Sequence, residues 1–581
     1  MSERQFGVVG DGPAADAVRA ALSDADGTAR ECAATDLEAV EFGVVVGGVG
    51  DDAFSRANRA SDGTPWLAVE LGGVGGHALG DVDAAVSGFG PGTACYDCLR
   101  NRVAANADDG DEPASDETRD EPVERATARL AGALAGREAV ALLSGGESPV
   151  LGGVLELPHA QRTLLPVPGC ETCGEARDRT LSVGHATVSV EESVERAEQA
   201  LDERVGVVAS LGEVASFPVP YYLAEVTDTS AFSDARAAEQ AAGVAADWDA
   251  ALMKALGEAL ERYCAGVYRG SEFGVAPASA LDDAVPPREF VRPEGWSDAG
   301  GTECAWVPGR NLATGEPVTL PAEFVHFPPT EPRFKPPITT GLGLGNSTTE
   351  ALLSGLYEVV ERDATMLSWY STFDPLGLDV DDEGFRTLAK RARAEDLSVT
   401  PLLVTQDVDV PVVAVAVHRG DDAEWPRFAV GSGANLAPDA AARSALAEAL
   451  QNWQELSMMG REAAADAEGA IARYADFPAA AREFVDPETT VPSDRVGVDD
   501  PPEGEAELEA VVARANDAFD VYGSRLTTRD VERLGFEAVR VLAPEAQPLF
   551  TGDPFFGDRA RSVPADLGFD PRPDRQLHPY P

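Results

Sequence analysis

Short apolar runs alternate with amphipathic stretches along the first part of the chain. Phe6 to Val9 has strand length and leads through Gly10-Asp-Gly-Pro-Ala-Ala into a helical pattern that runs through Leu22. Glu41 to Val46 and Trp66 to Leu71 read as two further strands. A helix is expected from about Val123 to Leu143, and Gly153 to Leu157 is strand-like again. Strands alternating with helices predict a parallel sheet, an α/β arrangement. Asn106 to Glu124 is acidic and nearly free of large apolar residues, which predicts a mobile surface loop. After Cys173 the pattern changes. Leu181 to Val190 and Gly206 to Glu225 alternate as β-structure, and long helical segments are then interleaved with β-runs such as Val399 to Val404 and Val410 to His418. The second part is therefore α+β, with a domain boundary near residue 180.

Length and composition fit this division. A chain of 581 residues exceeds one ordinary core, and a hydrophobic fraction of 44% suffices for two. The charge adds something the pattern does not. Asp and Glu total 100 against 46 Lys plus Arg, the net charge is −54, and Lys254, Lys335 and Lys390 are the only lysines. Acid spread through apolar-periodic segments, with Arg in place of Lys, fits an extreme halophile, because molar salt shortens the Debye length to about 3 Å and screens self-repulsion. It excludes nucleic acid as a direct partner, which needs a basic face. No run of 18 apolar residues spans a membrane and the N-terminus lacks an apolar signal core, so a cytoplasmic protein is expected.

Seven cysteines in such a chain favour metal binding for close pairs over disulfides. Cys95-Tyr-Asp-Cys98 and Cys170-Glu-Thr-Cys173 are two such pairs, each beside a turn, at Pro91-Gly92 and Pro168-Gly169. Two knuckles of this kind complete a closed tetrahedral Zn²⁺ site. Cys32, Cys264 and Cys304 are isolated and read as packing residues. The turn Gly10-Asp-Gly-Pro-Ala-Ala matches G-x-G-x-x-A only loosely and reads as a tight strand–helix turn in a Rossmann-like sheet.

Three helical segments carry one device. Glu258 and Glu261 precede Arg262, Glu358 and Glu361 precede Arg362, and Glu448 is followed three residues later by Gln451. Residues three apart share a helix face. Leu256 and Leu260, and Leu356 and Val360, place the carboxylates at the margin of a buried stripe. Carboxylates so placed repel unless a cation lies between them, and Mg²⁺, which also binds substrate phosphates, suits them.

On these residues the chain resembles two related families. Thr64 to Arg102, with Gly90-Pro91, Cys95, Cys98, Leu99 and Arg102, resembles the E1-like component of azole-forming peptide cyclodehydratases. This covers residues 1–180 and implies a Rossmann-like, E1-related domain with a four-cysteine zinc site. AALMKALGEALERY and GLGLGNSTTEALLSGLYEVVERDA resemble the two main motifs of the YcaO superfamily, over residues 185–581. That resemblance implies an ATP-binding α+β domain in which Glu258, Glu261, Glu358 and Glu361 bind Mg²⁺, while Asn346, Glu350, Arg362, Glu448, Gln451 and Arg540 contact ATP. Leu577-His578-Pro579-Tyr580-Pro581 resembles the Pro-x-Pro-x-Pro tail of the azole-forming branch, which implies that Pro579 and Pro581 order the active site. Ala242-Gly243-Val244-Ala245 stands where many relatives carry Gly-Lys-Gly.

The resemblance implies a fused enzyme that phosphorylates backbone amide oxygen and forms azoline rings from Cys, Ser or Thr of a precursor peptide, as in bacteriocin biosynthesis. Its cofactors would be ATP, Mg²⁺ and Zn²⁺. A dehydrogenase, a leader-binding partner and a homodimer remain open as assemblies. Thioamide formation on a peptide or protein backbone, an E1-like adenylating activity and a non-enzymatic scaffold stand as alternatives.

Overall fold

The first apolar runs become one seven-stranded sheet. In the computed structural model, which describes residues 5–25, 27–107, 123–158, 160–296, 303–420, 424–466 and 469–581, the elements run β1 (Gln5–Val9), α1 (Gly12–Asp24), β2 (Thr28–Glu31), β3 (Phe42–Gly48), α2 (Asp52–Ala60), β4 (Trp66–Leu71), β5 (Ala84–Phe89), α3 (Tyr96–Ala105), α4 (Arg125–Leu143), β6 (Gly153–Leu157) and β7 (Ala160–Thr163). Most of the acidic stretch expected as a loop, residues 108–122, lies outside the described residues. The strand order is β2-β1-β3-β4-β5-β6-β7. Strands β1 to β4 pair in parallel, but β4 to β7 pair antiparallel, so the sheet is mixed and not wholly parallel. For the β4–β5 pair the reason is the connection. A helix carries the chain from β3 to β4, whereas none lies between β4 and β5, so the chain turns straight back. Gly10, at φ 97°, makes the β1–α1 turn and brings its Cα against the Val46 carbonyl. Phe6, Val8, Val18, Leu22, Val44 and Leu67 form the core with Ala131 and Ala135 of α4.

Met1–Arg177 form one compact unit, to which Gln199–Ser210 and Val226–Glu239 also belong; Asp178–Glu198, Leu211–Glu225 and Gln240–Pro581 form the other. The second unit opens with a correction. Leu181–Ser189 is neither helix nor strand and pairs with no strand; Leu181 is buried, and the Gly184 carbonyl accepts from the Thr349 N–H at 3.1 Å. The alternation does not become a buried face: Leu181 alone of this stretch is buried, and Val183 and Val190 are exposed. Helix α5 (Val190–Ala197) follows, capped by Ser189. Gly206 to Glu225 breaks into β8 (Val208–Ala215) and β9 (Tyr221–Val226) around Pro218 and Pro220, which cannot donate to a ladder.

Three sheets follow in sequence. The first has the order β10-β9-β8, with β10 at Gln240–Val244, followed by α6 (Trp248–Gly266). The second is built from β11 (Gly274–Pro277), β12 (Glu303–Asn311), β13 (Pro317–Pro321), β14 (Leu342–Gly345), β20 (Tyr522–Arg525) and β21 (Glu537–Leu542), in the order β11-β12-β20-β21-β14, with β13 also on β12. Helix α7 (Thr348–Trp369) leaves from β14. The third comprises β15 (Leu376–Asp379), β16 (Ser398–Leu403), β17 (Val412–His418), β18 (Phe428–Ala434) and β19 (Thr490–Pro492), in the order β18-β17-β16-β15-β19. Helices α8 (Glu383–Ala394) and α9 (Pro438–Ala464) belong with it. Strand β17 is buried on both faces: Val412, Ala414 and Ala416 join the core around α7, and Val413, Val415 and Val417 the core around α9. Among the described residues no helix is long and apolar enough to cross a membrane.

Candidate functional site

The three sheets of the second unit end on β10, β14 and β18, and each of these edge strands lies against the helix that follows it. Glycine permits the approach. A Cβ at Gly243 would sit 2.3 Å from the Ala251 carbonyl oxygen, at Gly343 2.2 Å from that of Ala351, and at Gly433 2.6 Å from that of Ala441. An edge strand leaves backbone N–H groups without a ladder partner. Here a glutamate of the following helix takes an N–H in the strand or just before it: Ala242 of β10 donates to Glu258 at 3.0 Å, Gly341, immediately before β14, to Glu358 at 3.0 Å and Ser432 of β18 to Glu448 at 2.6 Å. The strand–helix unit thus occurs three times, and it fixes Glu258, Glu358 and Glu448.

Glu358, Glu361, Arg362, Glu448 and Gln451 line one cavity of about 210 Å³, together with Lys254, Ser432 and Ser444. Arg362 lies 3.8 Å from Glu358, 3.3 Å from Glu361 and 3.7 Å from Glu448. The Ser432 hydroxyl donates to Glu361 at 2.6 Å. Burial lifts the Glu361 carboxyl to about 7 against the pull of Arg362, with Glu448 and Glu358 adding to the rise. Burial raises Glu448 as well. Glu261 is pushed up to about 8 by burial, opposed by Arg262 and reinforced by the charges of Glu258 and Glu358. The two E-x-x-E-R segments therefore act on each other's ionisation. Three carboxylates, Glu358, Glu361 and Glu448, face two cations, Arg362 and Lys254, in this cavity, so a further cation would favour their ionised forms.

Of the other residues singled out from the sequence, Glu258, Glu261 and Arg540 are not among those lining this cavity. Glu258 is paired with Arg262 at 2.9 Å. Asn346 donates to Glu350 through its backbone and side-chain amides, at 2.8 and 3.2 Å, and accepts from Ser193 at 3.0 Å; neither Asn346 nor Glu350 is among the residues lining the cavity. Arg540 on β21 donates to the Thr339 and Ile338 carbonyls at 2.8 and 2.7 Å, and burial lowers it to about 10. A second cavity of about 980 Å³ shares Glu358 and Arg362 with the first and is lined further by Lys335, Phe550, Phe556 and Pro581. The last residues are packed: Pro579 and Tyr580 are buried, Tyr474 donates to the Leu577 carbonyl at 2.8 Å, and the His578 ring lies 2.8 Å from the Phe550 carbonyl. Sequence reasoning missed Lys254, Lys335 and Ser432 as cavity residues; the rarity of lysine was the available signal.

In the first unit Cys95, Cys98, Cys170 and Cys173 come together with all four Sγ atoms within 4.8 Å. Cys95 lies 3.8 Å from Cys98 and 3.6 Å from Cys170, and Cys98 lies 3.4 Å from Cys173. A tetrahedron with metal–sulfur bonds of about 2.3 Å has an edge of about 3.8 Å, so the cluster can hold a metal ion. Cys95 caps α3 and Cys98 sits in its first turn. The Val167 N–H donates to Cys98 Sγ at 3.3 Å and the Asn58 amide to Cys95 Sγ at 3.7 Å.

Comparison with known proteins adds to this geometry. The family described as YcaO cyclodehydratase, ATP- and Mg²⁺-binding, matches over residues 242–547. An uncharacterised protein of Methanothermobacter thermautotrophicus is 30% identical over 336 residues, covering 55% of this chain and 85% of that protein. Among solved structures, a heterocyclase in complex with substrate and cofactor has a TM-score of 0.75 at 20% identity, covering 100% of this chain and 85% of that one. The heterocyclase TruD has a TM-score of 0.66 at 20% identity, covering 100% of this chain and 84% of that one. The chain has the mixed α/β fold of these heterocyclases.

Proposed function

The chain belongs to the YcaO cyclodehydratase family, and on that premise we propose that it is an ATP- and Mg²⁺-dependent enzyme that forms azoline rings from Cys, Ser or Thr residues of a ribosomally made peptide. The observation that carries the reading is the wall of Glu358 and Arg362 shared by two cavities. The smaller cavity, with its excess of carboxylates, suits Mg²⁺ and nucleotide phosphates. The larger one is apolar enough for a peptide and borders the same residues. In the reaction the substrate's thiol or hydroxyl attacks the preceding backbone carbonyl carbon and loses its proton. The resulting oxyanion takes the terminal phosphoryl group of ATP, releasing ADP. Loss of phosphate and of the amide proton then leaves the C=N bond of the ring, so one water is removed from the peptide for each ATP used.

Mg²⁺ would supply the positive charge that the phosphates and Glu258, Glu261, Glu358 and Glu361 require. The protein's own part is positioning and charge neutralisation, the main contributions to phosphoryl transfer. Arg362, held by three carboxylates, faces both cavities and can follow negative charge from nucleotide to amide oxygen. Gln451 and Glu448 close the far side of the nucleotide cavity. Residues 1–180 are read as an E1-like domain with a structural zinc at the four cysteines, and residues 185–581 as the catalytic domain.

The test uses a Cys-rich peptide, ATP and Mg²⁺ in molar KCl. Peptide should lose one water per ring while phosphate, not pyrophosphate, accumulates. A chain lacking residues 577–581 should lose ring formation and keep Mg-ATP binding, because Pro581 lines the peptide cavity and not the smaller one. Pyrophosphate release, or unchanged ring formation by the truncated chain, would contradict the assignment.

A further inference from the structure

Lys254 is a basic residue of the smaller cavity that the assignment above leaves without a role. Only three of the 46 basic residues are lysine, so nearly every position that needs a cation carries arginine. Lys254 stands on α6 one turn before Glu258 and lines the cavity with Glu358, Glu361 and Glu448. Its side chain reaches water yet is densely surrounded, as a cavity wall is, and burial holds its amine below the ordinary value. The threefold strand–helix unit gives an independent reason for that placement. Eleven residues after Gly243, Gly343 and Gly433 stand Lys254, Ser354 and Ser444, and Ser444 lines the same cavity. Lys254 and Ser444 both line this cavity, Ser354 does not, and of the three only Lys254 carries a charge.

That charge is uncommitted. Arg362 is held among three carboxylates, Arg262 is paired with Glu258, and Arg540 donates to two backbone carbonyls. Lys254 makes no hydrogen bond or ion pair among the described residues; Glu448, Arg443 and Asp247 act on it only through their fields. An ammonium beside carboxylates that already lack cations, yet bonded to none, is available to a third group. With Mg²⁺ at the carboxylates, the anion that reaches both is a phosphate chain. A compact point charge with three donors suits non-bridging phosphoryl oxygens, where a planar guanidinium fork would also compete for the carboxylates.

We propose that Lys254 grips the terminal phosphates of the nucleotide and so determines that the site selects a triphosphate. This rests on the reading of the cavity as the Mg-ATP site. The experiment is isothermal titration of the full chain in molar KCl with Mg-ATP, Mg-ADP and AMP, for wild type, Lys254→Ser, Lys254→Arg and Lys390→Ser. Serine is what the other two units carry at this position, so Lys254→Ser should fold, and a thermal melt checks it. Loss of a charged phosphate contact should weaken Mg-ATP by about tenfold or more, Mg-ADP less and AMP not at all. Lys254→Arg should recover part of the loss, and Lys390→Ser, exposed on α8, should match wild type. Wild type that binds Mg-ATP while Lys254→Ser binds it equally well, or loses all three nucleotides alike, overturns the role of Lys254 alone. Wild type that binds no Mg-ATP overturns that role and the nucleotide reading together.

Discussion

At the scale of single residues, Glu361 and Glu261 hold protons near neutral pH when no cation is present, because burial lifts them to about 7 and about 8. The sign of the consequence follows from linkage. Between the ordinary carboxylate range and about pH 8 the unfolded chain binds fewer protons at these positions than the folded one, so the cation-free protein should lose stability as pH rises. Mg-ATP needs the ionised carboxylates, so its affinity should rise through the same window, by about tenfold or more from pH 6 to 8. Titration calorimetry at several pH values checks this, and a flat profile would contradict it. Glu361→Gln should weaken Mg-ATP by roughly 10- to 100-fold, the range for disturbed metal surroundings. The same change should leave the cation-free melt unchanged or raised at pH 8. These glutamates were legible in the sequence because the E-x-x-E-R spacing recurs inside apolar frames. Ser432 and Lys254 were not, since nothing local says that a strand edge delivers one and an inward helix face the other.

At the scale of elements, the glycines of β10, β14 and β18 set how close each glutamate helix comes. Gly343→Ala would put a methyl 2.2 Å from the Ala351 carbonyl oxygen, so α7 must move; a loss of about 1–3 kcal/mol and weaker Mg-ATP binding are expected. Gly257→Ala on α6 is the contrast, since its Cβ would meet nothing nearer than 3.8 Å; helix propensity predicts a gain of up to about 1 kcal/mol. Paired thermal melts decide between them, and equal effects would refute the packing argument. The recurrence of glycine fifteen residues before Glu258, Glu358 and Glu448 was present in the sequence, but the Glu pairs alone did not expose it. Pairing partners were hidden too: the alternation at Leu181–Val190 could not tell whether a strand lay beside it, and only Leu181 of that stretch is buried. The four cysteines were the clearer case, because two knuckles beside turns leave few other arrangements. Purified protein should carry about one zinc per chain, and Cys98→Ser should lose it together with the start of α3. Metal analysis showing full retention would remove the assignment.

At the scale of the whole molecule, 46 basic residues face 100 acidic ones, and the structure shows how they are shared. Single arginines hold several carboxylates: Arg162 reaches Glu156, Asp202 and Glu203, Arg525 reaches Glu532 and Glu537, and Arg559 reaches Asp363 and Asp407. A planar fork with five preorganised donors suits this better than an ammonium with three, which is a physical reason for arginine at such positions. Even so, the pairing leaves a net charge of −54, and that excess has only solvent ions to balance it. In molar KCl the Debye length of about 3 Å confines each charge to its near neighbours; at 0.1 M it is about 10 Å, and carboxylates on adjacent elements repel. The thermal midpoint should therefore fall steadily as KCl is lowered from molar to about 0.1 M, and sucrose, which favours compact states without screening charge, should not restore it fully. The multi-arginine clusters should resist longest, since buried pairs are screened least, so melting should begin in acidic surface outside them; hydrogen exchange at low salt reads this directly. A midpoint that is constant over that range of KCl would mean that the surface charge is tolerated and not required.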